Sequence, residues 1–196
     1  LENMDWGDER VRCSISAEGT LHGSKKFVAD AGVAQLFVVT VDCGGEVALA
    51  LVPADQLPES AITQNTLIDE TKRSATVDFT GVKLDPANVI RGERVAIALR
   101  DTRLLGALLL ASEATGSAAA CLDTVVDYLK TRKQFGKLIG SYQALKHPTV
   151  EILTAMDSGR SFIYHAATLV GDDTLDTDTE IACRMAKAHA TETLLF

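Results

Sequence analysis

Apolar and polar residues alternate up to about residue 90; beyond it, apolar residues recur at the spacing of a helix. Val11, Cys13, Ile15 and Ala17 alternate with Arg12, Ser14 and Ser16, the pattern of a half-buried strand. Glu18-Gly19 then predicts a turn. Leu36 to Val41 and Val47 to Val52 are short β-branched runs separated by Asp42-Cys43-Gly44-Gly45, which predicts a hairpin, and Pro53 closes the second run. Val77 and Phe79 alternate with Thr76 and Asp78, and Pro86 marks a turn beyond them. Short strands with no long helix between them predict a small antiparallel barrel or sandwich over residues 1–90.

Residues 91–196 predict an antiparallel helical bundle, making the whole an α+β multidomain chain. A first helix runs from about Val95 to Lys130, with Leu122, Val125, Val126 and Leu129 on its apolar positions. Leu104 to Ala111 is apolar all round, which suggests burial on several sides. Small residues from Ala114 to Ala120 invite the close approach of a neighbouring helix. A loop holding Gly136 and Gly140 follows. Ser141 is the expected N-cap of a second helix reaching Leu169, with Pro148 as a kink or a delay to its regular start. Gly171-Asp172-Asp173 closes it. A third helix begins near Asp176 or Asp178 and runs to Phe196, where the absence of a cap suits a continuation.

Composition narrows the chemistry. The chain has 196 residues and a formal charge of -8, which argues against nucleic acid as a partner. Its longest apolar run is far shorter than a membrane span, and the opening Leu1 to Trp6 has no signal-peptide character. Cys13, Cys43, Cys121 and Cys183 lack a CxxC pair or a metal-ligand rhythm, and the four histidines are scattered. Reduced, mostly buried thiols in a cytoplasmic protein with no metal site are expected. No GxGxxG, Walker or GxSxG motif occurs. The charge is uneven, however: Lys130 to Lys146 holds five bases and no acid. That run suits a phosphate, and a solvated basic face would explain it as well.

The segment from Tyr128 to His147, with Arg132, Lys133, Gln134, Phe135, Gly136 and then Gln143-Ala144, resembles the signature of the acyl-CoA dehydrogenase family. Gly23 to Gly32 followed by the run from Leu36 resembles that family's β-domain stretch. Val77 to Val82 with Pro86 and Asn88-Val89 resembles its lead into the C-terminal domain. The resemblance implies the middle β-domain and an incomplete C-terminal helical domain, with an N-terminal helical domain and the chain end missing.

It also implies FAD. Arg132 would meet the pyrophosphate across a subunit interface, since a guanidinium binds phosphate through charge-assisted bidentate bonds. Gln134 and Gln143 would supply polar contacts and Phe135 would pack near the adenine. Phe27 would face the flavin where relatives often carry tryptophan. Ala29 stands where many carry a threonine or serine hydroxyl, so only its backbone N–H could serve there. Without the resemblance, Phe135 reads as a loop anchor and Arg132 as an exposed charge.

Arg103 matches an arginine near the acyl-CoA site, with an ion pair to Asp101 or a neighbouring helix as the plainer role. Thr102 occupies the place of the catalytic glutamate in a minority of the family and cannot act as a carboxylate base. No catalytic residue is therefore expected in this chain. The implied reaction is α,β-dehydrogenation of an acyl-CoA, with α-proton abstraction and β-hydride transfer to flavin N5. An electron-transfer flavoprotein is the implied acceptor and a homodimer or homotetramer the implied assembly. An FAD-binding subunit of a heteromeric dehydrogenase, an acyl-CoA oxidase or nitroalkane oxidase relative, and a non-catalytic scaffold of the same fold stay open.

Overall fold

A computed structural model describes residues 11–171 and 173–195. The opening Leu1 to Trp6, Asp172 and Phe196, used above, lie outside them. The chain divides into two units, Leu1–Ala96 and Ile97–Phe196.

The first unit packs two sheets face to face. One contains β1 (Ser14–Ile15), β2 (Leu21–His22), β4 (Leu36–Asp42), β5 (Val47–Pro53) and β8 (Val89–Ile90) in the order β2-β1-β4-β5-β8. The other contains β3 (Ser24–Ala29), β6 (Ile62–Asn65) and β7 (Ser74–Asp78) in the order β3-β7-β6. The predicted hairpin is the longest ladder, with Leu36 opposite Pro53 and Asp42 opposite Val47. Its turn is tied by Asp42, whose carboxylate accepts the Gly45 N–H at 2.7 Å. Period two puts Phe37, Val39 and Val41 inside, opposite Val52, Ala50 and Ala48. Phe37 meets Phe79 edge-on at 5.7 Å within the same core.

Two expectations change here. The sandwich is mixed rather than antiparallel, because β1 pairs in parallel with β4 through Ser14 and Asp42. The strand expected over Val11 to Ala17 forms a ladder only at Ser14–Ile15, although Cys13 and Ile15 are buried as the alternation requires. Alternation reports which face is covered, whereas a ladder also needs a neighbour in register.

The second unit is built from α1 (Glu93–Thr131), α2 (Gln143–Leu169) and α3 (Thr177–Leu195). Leu104, Leu108 and Ala111 of α1 share a core with Ala166 of α2 and Ala182, Cys183, Ala186 and Ala190 of α3. Burial of Leu104 to Ala111 is one-sided, since Leu109 is 71% exposed and Leu105 and Leu110 are exposed too. Apolar periodicity cannot say how many neighbours a helix has. By length and composition α1 is apolar enough to cross a membrane, but five of its apolar side chains, from Leu104 to Leu122, are buried within this fold. Small residues do permit close approach: a Cβ on Gly159 of α2 would lie 3.7 Å from the Thr115 hydroxyl of α1 and 3.3 Å from the His189 ring of α3.

Asp176 caps α3, accepting the Thr179 N–H at 2.8 Å. Ser141 does not cap α2. It sits in a 3-10 turn, donating to the Leu138 carbonyl at 2.7 Å, and Tyr142 takes the cap position without a side-chain bond. Pro148 lies inside α2 past its first turn, where the helix continues without the N–H that would have met the Ala144 carbonyl. All four cysteines are free; Cys13 and Cys183 are buried and Cys121 is exposed.

Candidate functional site

The basic run folds into a small hairpin between α1 and α2. Its strands are β9 (Lys133–Gln134) and β10 (Lys137–Leu138), with Gln134 opposite Lys137 and Lys133 opposite Leu138. A two-residue connection of this kind requires left-handed φ at both central positions. Phe135 has φ 52° and Gly136 has φ 78°. Glycine adopts that conformation freely, while for a residue with a side chain it costs about 1–2 kcal/mol. Phe135 therefore carries backbone strain. Its ring is 86% exposed, so its own burial does not explain the cost.

The base of the hairpin is closed by the Ile139 N–H, donating to the Arg132 carbonyl at 2.9 Å. Gly140 makes that closure possible, because a Cβ there would fall 2.8 Å from the Leu129 carbonyl oxygen at the end of α1. Tyr142 reaches back from the start of α2. Its hydroxyl donates to the Gln134 carbonyl at 3.2 Å, and its ring meets Phe135 edge-on at 6.5 Å. Lys137 places its ammonium 4.2 Å from the centre of the same ring, in cation–π contact.

Arg132, Gln134 and Phe135 thus share one short hairpin, and Gln143 opens the helix that follows it. All four are exposed. Sequence reasoning assigned no role to Tyr142 or Gly140, since an edge-on ring contact and a Cβ collision leave no mark on a linear pattern. The donor set suits a dinucleotide phosphate: one exposed guanidinium, an amide side chain and an aromatic ring, with Lys133 and Lys137 on the same loop and no carboxylate among residues 130–146.

Phe27 and Ala29 belong to the other unit, on β3. The β3–β7 register shifts between Lys25 and Val28, and Phe27 lies in the shift with φ 56° and 58% exposure. Such a bulge re-aims a side chain away from the sheet it interrupts. Asp30 is also left-handed, at φ 51°. Its carboxylate receives both Nε and a terminal nitrogen of Arg73 at 3.0 Å. Ala29 is exposed and pairs with Ser74 on β7. Behind this strand, Lys25 donates to the Thr40 hydroxyl at 2.8 Å, and burial holds its pKa below the usual lysine range. Burial pushes the Cys13 thiol up, only partly offset by Lys25, so it is an inert core thiol.

On α1, Thr102 is committed to its own helix, its hydroxyl donating to the Ala98 carbonyl at 2.7 Å. Arg103 is exposed beside it. Asp101 pairs with Arg100 at 2.8 Å and accepts the Leu175 N–H at 3.1 Å, while Arg100 also donates to the Leu175 carbonyl. These two side chains clasp both backbone groups of one residue in the α2–α3 connection. Glu151 and Glu192 line a cleft of about 230 Å³ between α2 and α3 with His189, whose Nε2 bonds to the Ala155 carbonyl at 2.7 Å. That volume is below the usual span of small-molecule sites. Among the described residues, no group of three or more His, Cys, Asp or Glu side chains could hold a metal ion.

Comparison with known proteins bears on the family and the fold. The family profile described as acyl-CoA dehydrogenase, C-terminal domain, matches residues 94–195. The short/branched chain specific acyl-CoA dehydrogenase of Bos taurus mitochondria is 28% identical over 184 residues, 88% of this chain and 41% of that protein. The structure of butyryl-CoA dehydrogenase from Megasphaera elsdenii superposes with a TM-score of 0.74 at 22% identity, covering 94% of this chain and 50% of that one. A nitroalkane oxidase active-site mutant crystallised with 1-nitrooctane gives 0.82 at 15% identity, covering 97% and 53%, a likeness of fold alone. The chain spans about half the length, or less, of these relatives.

Proposed function

The chain belongs to the acyl-CoA dehydrogenase family, and on that premise we propose that it is the FAD-holding portion of an enzyme that dehydrogenates an acyl-CoA between Cα and Cβ. The observation that carries this reading is the hairpin between α1 and α2. It keeps Phe135 strained and open to solvent while presenting Arg132 and Gln134 beside it. Backbone strain of this kind clusters where a ligand or partner uses the geometry, which supports the reading.

In this reading the Arg132 guanidinium binds the pyrophosphate of FAD, Gln134 and Gln143 make polar contacts, and Phe135 packs near the adenine. Phe27, with the backbone of Ala29, faces the flavin. FAD, when bound, supplies the hydride acceptor. Because the hairpin residues from Arg132 to Leu138 are exposed, a homodimer or homotetramer in which they serve a neighbouring subunit fits them well. Electrons leave through an electron-transfer flavoprotein, and the enzyme is cytoplasmic.

Arg103 stands near the acyl-CoA. The base that removes the α-proton is not among these residues. Thr102 offers no carboxylate, and its hydroxyl is already bonded to Ala98. Glu113 lies about 16 Å farther along the same helix at 1.5 Å per residue, beyond the reach of a proton transfer at the Thr102 position. Glu151 and Glu192 lie on other helices, where a solvent-facing or ion-pair role is the plainer one.

The test uses the full-length protein. It should purify with oxidised flavin absorbance that bleaches on adding acyl-CoA under anaerobic conditions. Arg132→Ala should weaken FAD affinity about ten- to a hundredfold, the equivalent of about 1.5–3 kcal/mol for a charge-assisted contact. Undiminished FAD retention in that variant, or rapid turnover with oxygen in the wild type, would defeat the respective assignments.

A further inference from the structure

We propose that Tyr142 is a positioning residue for the cofactor, bracing the Gln134–Phe135 tip in the left-handed turn that it must hold to meet FAD. The inference rests on the cofactor reading above and names a residue that reading does not use. Phe135 at φ 52° sits in a conformation that an unsupported two-residue tip would leave. Tyr142 contacts that tip at two points and holds a cation beside it. The hydroxyl holds the Gln134 carbonyl at 3.2 Å, the ring edge abuts Phe135 at 6.5 Å, and Lys137 is drawn over the ring face at 4.2 Å.

Tyr142 is itself anchored. Its N–H donates to the Ile139 carbonyl, and its carbonyl accepts from Leu145 and Lys146 in the first turn of α2, all at 3.1 Å. The brace therefore ties the tip to a helix of 27 residues rather than to the loop. The hydroxyl bond is longer than the usual O–H···O distance, so the ring carries most of the effect. Lys137 sits over the face of Tyr142 while Phe135 meets the same ring edge-on, so one side chain orders both an aromatic and a cation beside Arg132. A tip held this way before binding avoids the ordering cost that a mobile loop meets on association.

Full-length wild type, Tyr142→Leu, Tyr142→Phe, Phe135→Ala and the Tyr142→Leu/Phe135→Ala double variant are compared in two measurements. The first is hydrogen exchange at the Ile139 amide in the flavin-free protein, with α3 amides as the control for folding. Tyr142→Leu should speed Ile139 exchange about tenfold and leave α3 unchanged, and Tyr142→Phe should stay close to wild type. The second is FAD affinity. Tyr142→Leu should weaken it about tenfold, Tyr142→Phe should restore it, and the double variant should be no worse than Phe135→Ala alone, because contacting residues acting through one another are not additive. Unchanged Ile139 exchange in Tyr142→Leu, or losses that multiply in the double variant, would overturn the proposal. A wild-type chain with no FAD affinity sinks the cofactor reading instead, and the exchange measurement still decides whether Tyr142 holds the tip.

Discussion

Phe27 and Phe135 share an unusual backbone conformation, exposed rings and adjacency to glycine- or charge-rich turns, yet they are held in opposite ways. Phe27 lies in a bulge of β3, with β7 paired on both sides of it and Arg73 gripping Asp30 from 43 residues away in sequence. Phe135 is held by residues between Arg132 and Tyr142. One is constrained by long-range pairing and the other by a local brace. Long-range constraint follows the stability of the whole sheet, whereas a local brace can be loosened by one substitution without unfolding its unit.

Deleting a core ring of the unit that carries Phe27 should have the largest effect. Phe79→Ala deletes a ring that is 1% exposed and in edge contact with Phe37. It should cost about 3–5 kcal/mol, read by urea unfolding of the β unit. A loss below about 1 kcal/mol would mean that this ring contributes little to the sandwich core.

A smaller effect sharpens the contrast directly. Asparagine tolerates left-handed φ better than phenylalanine, so Phe135→Asn should raise the thermal midpoint of the apo protein, a gain of at most about 1 kcal/mol, while weakening FAD retention. The same change at Phe27 should stabilise no more than that. A fall in midpoint at Phe135 would show that its contact with Tyr142 outweighs the strain.

The smallest effect serves as a control away from both turns. The backbone N–H of Thr179, and then its hydroxyl, hold the Asp176 carboxyl below the usual range. A carboxylate whose pKa is lowered by folding stabilises above its unfolded value, and the contribution disappears as pH falls through the folded value. The difference in thermal midpoint between wild type and Asp176→Ala should therefore shrink on acidification from pH 7 to pH 3. A constant difference would remove the charge from the role of this cap.

Much of the candidate site was legible in the sequence because its chemistry is local. Arg132 through Gln143 lie within one turn and its flanks, so residue order and spatial order nearly coincide, and the acid-free basic run was visible directly. Ser141 failed as a cap for an equally local reason: the 3-10 turn carried its hydroxyl back to Leu138. The bulge at Phe27 was not legible, since a register shift exists only relative to a second strand.

The sequence by itself determined the β-then-α order, the Leu36 to Val52 hairpin, the three helices and the acid-free basic loop. Each depends on periodicity, turn chemistry or charge among near neighbours. Tertiary structure alone decided the parallel pairing of β1 with β4, the one-sided burial of Leu104 to Ala111 and the grip of Arg73 on Asp30. It also decided the need for glycine at position 140, against the Leu129 carbonyl. In each of these cases the outcome depends on a partner whose position no local pattern encodes, because hydrogen bonds and close packing act over a few ångströms of space rather than along the chain.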